Sequence, residues 1–219
     1  MTLEQLAQEL EALKAENERL KAARECENLM ATYSYLGSAH RLREYMQLWA
    51  DREDSCLEMP WGVYDGYSGV CRCYLEDHTD RSAPEALEEL EGCMFIHPMT
   101  TCRLEVAGDG RTARGAWISP GVEAVRGTAM WCMSKYAVDF IRMPEGWRIW
   151  HMKLYPVFLT PYDVPFTEKD KDFGVGEVHP DRAPTAPRYD YDLKAMYPFN
   201  EPVIPQAYQS FDELEPIIG

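Results

Sequence analysis

The side chains able to move a proton or hold an anion near neutrality gather late in this 219-residue chain. Between Gly127 and Tyr162, two β-type stretches flank the breaker Met143-Pro144-Glu145-Gly146. In the first, Tyr136, Val138 and Phe140 alternate with Ala137, Asp139 and Ile141. In the second, alternation puts Trp147, Ile149, His151, Lys153 and Tyr155 on one face. We expect that face to line a pocket; the alternative is a sheet edge where His151 and Lys153 sit in water. An amine is a poor base unless desolvated, so Lys153 is expected to stabilise an anion, with His151 in a similar role. Asp139 shares no face with Tyr136 and is a candidate substrate contact or a partner for Arg148 or Lys135. Tyr35, Trp61, Trp117 and Trp131 are expected as pocket walls. Such a lining suits a hydrophobic, aromatic or polycyclic molecule with hydroxyl or carbonyl groups.

Other chemistries are less supported. No glycine-rich phosphate loop precedes a strand–helix unit, and no Gly-x-Ser-x-Gly elbow is present, so no cofactor is expected. The five histidines (40, 78, 97, 151, 179) lack ligand spacing, and Cys71 and Cys73 are too close for a zinc knuckle, so no metal is expected either. The seven cysteines are odd in number and irregularly spaced, and read as reduced thiols of a cytoplasmic protein. A net charge of −15 disfavours nucleic acid and anionic membrane as partners. The acidic, amphipathic start is unlike a signal peptide, and no apolar run approaches a membrane span.

These residues need elements to position them. Residues 1–25 read as an amphipathic coiled-coil helix, with Leu3, Leu6, Leu10, Leu13 and Leu20 at a and d positions and Asn17 at an a position. A buried Asn there favours a parallel pair, so a homo-oligomer is expected, a dimer or a trimer. The helical pattern continues with Leu29, Met30, Tyr33 and Leu36, and a second helix is expected from His40 to Ala50. A short strand at Ser55–Met59, a loop at 62–66, a helix around Gly69–Glu76 and another at Pro84–Glu91 follow. Met94–Val106 reads as a strand with an edge or bulge at Pro98 near His97. Ala107–Gly110 is a hairpin, and Thr112–Ser119 the returning strand, broken by Pro120-Gly121. Helices followed by a meandering antiparallel sheet make an α+β pattern. Residues 164–219 hold eight of the fifteen prolines yet keep Tyr189, Tyr191, Tyr197, Phe199, Tyr208 and Phe211. Disordered tails are poor in aromatics, so an extended arm wrapping its own domain or a neighbour is expected.

The ordered string ENLMATYSYL, LREYMQLWADRED, WGVYDGYSGV, FIHPMTTCRLEVAGDGRTARGAW and YAVDFIRMPEGWRIWHMKLY resembles the SnoaL-like branch of the nuclear transport factor 2-like superfamily. The resemblance covers residues 26–163 and implies a cone-shaped α+β barrel: helices packed on a curved antiparallel sheet around a pocket. That superfamily includes cofactor-free dehydratases, isomerases, cyclases and formaldehyde-releasing lyases, as well as carriers without chemistry. By this resemblance Tyr33 matches the dehydratase tyrosine. The partner aspartate position falls on Ser38, with His40 two residues on, and His97 in FIHPMTT matches the catalytic histidine. The segment SPGVEAVR offers Glu123 and Arg126 as a further polar group. The implied function is a cofactor-independent acid–base lyase, a dehydratase or formaldehyde-releasing enzyme. His97 would exchange the proton, and Tyr33, helped by His151, Lys153 or Arg126, would polarise the oxygen. An isomerase or cyclase with the same pocket, or a non-catalytic carrier or assembly module, are the alternatives.

Overall fold

The computed structural model describes residues 1–77, 90–168, 177–186, 191–196 and 201–219. The expected helix at Pro84–Glu91 lies almost wholly outside them, as do Tyr189, Tyr197 and Phe199.

The chain begins with one continuous helix, α1 (Leu3–Ser38), opened by a capping box between Thr2 and Gln5. At 36 residues it is about 54 Å long. Residues 1–21 are exposed throughout, and contact with the domain starts at Ala22. From there Ala22, Cys26, Met30 and Tyr33, spaced by four, four and three, form the buried stripe. The leucines of the heptad face solvent, with Leu3 86% and Leu13 68% exposed. The second helix is shorter than its periodicity suggests: α2 (Leu42–Tyr45) passes into a 3₁₀ turn at Met46–Leu48, and Trp49 is already extended. Among the described residues no helix is long and apolar enough to cross a membrane.

β1 (Cys56–Met59) forms as expected, but residues 62–65 are a strand rather than a loop. This β2 (Gly62–Asp65) folds back antiparallel on β1, pairing Val63 with Glu58. A helix α3 (Gly66–Arg72) and a wider π turn (Cys73–Asp77) follow. The expected strand at Met94–Val106 is two: β3 (Cys93–Ile96) and β4 (Thr100–Val106). Pro98 lacks the amide to continue a ladder, and the break falls there. Pro120-Gly121 breaks nothing. β5 runs unbroken from Thr112 to Val125 because β6 (Thr128–Met143) supplies a full partner ladder, with Pro120 opposite Met133. β7 (Gly146–Pro161) completes a sheet in the order β2-β1-β7-β6-β5-β3, with β4 also on β5 and β1 parallel to β7.

The sheet curls round a core shared with the helices. Met30, Tyr33, Tyr45, Trp49, Tyr74, Trp117, Tyr136, Phe140, Trp147 and Ile149 belong to one buried cluster. Its aromatic density is unusual: Tyr33 stacks on Tyr45 at 4.5 Å, and Tyr45 meets Tyr74 edge-on at 4.9 Å. This is the expected α+β cone.

The opposite sheet face is ionic and covered. A ladder of Arg114, Asp139 and His151 crosses three strands, with Asp139 wholly buried between the other two. Beside it, fully buried Glu58 faces Lys153 at 3.4 Å. The C-terminal arm lies over both. Thr185 donates to Glu58 from its backbone N at 2.6 Å and its hydroxyl at 2.7 Å, and the Ala186 amide donates too. Phe211 packs on Trp150 at 4.6 Å, Arg114 donates to the Glu215 carbonyl, and Lys135 to that of Glu201. The described parts of the arm therefore cover the chain's own sheet.

Candidate active site

The break at Pro98 builds the site. β3 pairs with the far end of β5 (Ile96 with Val122) and β4 with the near end (Thr100 with Ile118), so residues 97–99 cross the strand opposite 119–121. The α1 residue Ser34 ties this crossing down by donating its hydroxyl to the His97 carbonyl at 2.7 Å. On β5, alternation aims Trp117, Ser119, Gly121 and Glu123 to the cone side, and on β6 Cys132, paired with Gly121, faces the same way. His97 settles over Gly121. A Cβ built there would lie 2.3 Å from Cys132 Sγ and 2.7 Å from His97 Nδ1, so only glycine leaves room for both.

The resulting group is tight. His97 Nε2 lies 3.4 Å from Glu123 Oε1, and His97 Nδ1 lies 3.5 Å from Cys132 Sγ. Burial acts on all three. It lowers the His97 pKa, favouring neutral imidazole; it raises that of Glu123, favouring the protonated carboxyl; and it pushes the Cys132 thiol up to about 12. The histidine and carboxyl shifts therefore run toward each other. By linkage, His97 lowers folded stability as pH falls below its unfolded value, and Glu123 lowers it as pH rises above its own.

The other expected residues fall in three places. Tyr33 lies in the aromatic core, its hydroxyl 2.8 Å from that of Tyr74, and burial raises its pKa far above the usual phenol value. Trp117 is in the same core, edge-on to Phe140 at 5.9 Å. Trp61 packs against that core and donates to the Tyr64 hydroxyl. His40 follows the Ala39 cap of α1 in a left-handed backbone (φ 54) and meets Phe95 edge-on at 5.4 Å.

His151, Lys153 and Tyr155 do not share a face with Trp147 and Ile149. Between Asp139 and Phe140 the β6–β7 register slips: Asp139 pairs with His151 but Phe140 with Ile149, leaving Trp150 as an extra residue. The bulge reverses alternation, so Met152 and Leu154 continue the core while His151, Lys153 and Tyr155 turn to the arm side. There both His151 nitrogens meet acceptors, Asp139 Oδ2 and the Asp54 carbonyl, each at 3.0 Å. The Lys153 amine sits 5.2 Å from the Tyr155 ring centre. Asp139 pairs with Arg114 at 2.6 Å rather than with Arg148 or Lys135. Tyr35 is 79% exposed and is no wall, and Arg126 is exposed on the β5–β6 turn. Trp131 stacks on Tyr162 at 5.8 Å. It lines a cleft of about 480 Å³ with Met133, Phe158, Tyr162 and Phe166, to which Cys132 also contributes.

What sequence reading missed was Cys132 and Ser119. The signal was there: Glu123, Gly121 and Ser119 alternate. It was hidden by treating Pro120-Gly121 as a strand end.

Residues 18–153 match the family model of the SnoaL-like domain, and the chain belongs to that family. Among solved structures, it is similar to a scytalone dehydratase-like protein from Novosphingobium aromaticivorans, at 14% identity and TM-score 0.54. That alignment covers 68% of this chain and 93% of the other. It is equally similar to the hexachlorocyclohexane dehydrochlorinase LinA-type3 from Novosphingobium barchaimii, at 16% identity and TM-score 0.54, covering 70% and 99%. At these identities the likeness shows the fold. A search of curated proteins found no match.

Proposed function

We propose that this protein is a small-molecule lyase working by proton transfer. The observation that carries this reading is the His97–Glu123 pair, 3.4 Å apart on the cone side, with pKa values displaced toward each other. Neutral imidazole takes the proton next to a polarised carbon, and the protonated carboxyl returns one to the departing oxygen. The structures named above include a dehydrochlorinase and a dehydratase-like protein, both eliminating types, which supports elimination over isomerisation. Trp117 and Tyr136, on the same strand faces as Glu123 and Cys132, support a hydrophobic, aromatic or polycyclic hydroxylated substrate. Relative to the expected set, Glu123 takes the role assigned to Tyr33, and His151 and Lys153 serve the sheet instead.

The test is a mass-resolved product screen of purified protein against hydroxylated steroids, aryl diols and hydroxychromanones. The expected product is lighter by one water or one formaldehyde. An isomer of unchanged mass would favour the isomerase, and binding without turnover the carrier.

The same reading includes assembly. The leucine seam of residues 3–20 is exposed along a helix that projects past its domain, and Asn17 interrupts it once. Glu11–Lys14, Glu16–Arg19 and Glu18–Lys21 pairs charge its flanks, as in helices that pair along an apolar seam. We infer a homo-oligomer joined there. Deleting residues 1–21 should lower the mass measured by light scattering; an unchanged mass would exclude the coil.

A further inference from the structure

We propose that His97, Glu123 and Cys132 bind a thiophilic divalent cation, zinc foremost. Their ligand atoms lie within 4.8 Å of one another. A tetrahedral zinc spaces sulfur, nitrogen and oxygen ligands roughly 3.3–3.6 Å apart, from bond lengths of about 2.0–2.3 Å. The 3.4 Å to Glu123 runs from Nε2 and the 3.5 Å to Cys132 from Nδ1, so each partner already stands at that distance from one ring nitrogen but not from the same one. A swing of the His97 ring that brings one nitrogen toward both partners completes the set.

Imidazole, thiolate and carboxylate together select zinc over magnesium or calcium. Three protein ligands leave a fourth position open. The Ser119 hydroxyl, 1% exposed, lies two residues from Gly121 on the same strand face and has no hydrogen-bond partner among the described residues. It offers one to whatever fills that position. Gly121 keeps the space between the ligands clear.

Binding displaces the Cys132 thiol proton and the Glu123 carboxyl proton: the S–H and O–H bonds break, sulfur–metal and oxygen–metal bonds form, and the protons go to solvent. Affinity should therefore rise with pH. The consequence for turnover rests on the proton-transfer reading. A cation on His97 occupies the lone pair that would take the substrate proton, so zinc should inhibit and a chelator restore.

The experiment is cobalt(II) titration of the full chain, followed by zinc competition against a chelating dye. One cobalt per chain is expected, with a thiolate-to-cobalt charge-transfer band in the near ultraviolet. Cys132→Ser should abolish the band. Glu123→Gln, which keeps the shape of the site, should weaken zinc about tenfold or more. Cys102→Ser, at an exposed cysteine, should change neither. No band in the parent chain, or a band that survives Cys132→Ser, would overturn the proposal. Because binding is read without substrate, that failure leaves the proton-transfer reading to be judged by the product screen alone.

Discussion

Replacing His97 with alanine should lower kcat/KM by about 10²–10⁴-fold, the usual worth of a positioned general base. The fold should survive, because the ring is about one-third exposed and the tie from Ser34 is to the His97 carbonyl, which alanine retains. Circular dichroism and a melting curve close to the parent's would establish that. The loss should fall on kcat as much as on kcat/KM, since the proton is in flight only in the transition state. A variant that turns over at the parent rate would remove the assignment. Tyr33→Phe should have a far smaller effect on turnover, because that hydroxyl is already committed to Tyr74.

The largest expected effect on stability lies on the other sheet face. Glu58 is fully buried, accepts from Thr185 and Ala186 and faces the Lys153 amine as an ion pair, so it ties β1, β7 and the arm at one point. Glu58→Ala leaves Lys153, itself only 9% exposed, without its carboxylate. Breaking a buried pair on one side costs about 3–5 kcal/mol. Urea unfolding should show that loss, and limited proteolysis should cut the arm near residues 177–186 before the domain. Adding Lys153→Met should recover part of the stability, since removing both charges also removes the orphan. A Glu58→Ala chain as stable as its parent would mean that the arm does not dock there.

The cone was legible from sequence because its signals are local. The helical recurrence of Leu29, Met30, Tyr33 and Leu36, the hairpin at Ala107–Gly110 and the turn at Gly146 each act within a few residues. His97 was legible through family resemblance, and Glu123 as an option in the same way. The face of His151 and Lys153 was not. Strand alternation predicts a face only while register holds, and the extra residue at Trp150 inverts the positions from His151 to Tyr155. Nothing in the one-dimensional pattern of Trp147 to Tyr155 marks that bulge. Cys132 was illegible for a different reason. Its meaning comes from lying opposite Gly121 in the β5–β6 ladder, a pairing that exists only once Pro120 is seen inside a strand.

The measurement that tests the central claim most directly is the pH dependence of kcat/KM, on a substrate returned by the screen, for the parent and for Glu123→Gln. If His97 and Glu123 share the working proton, the parent profile is bell-shaped. Activity falls on the acid side as the pair takes a second proton and on the alkaline side as it gives up its last. Glu123→Gln should keep the acid limb, lose the alkaline one and turn over more slowly. Identical profiles for the two proteins, or a parent rate flat across the neutral range, would contradict the account.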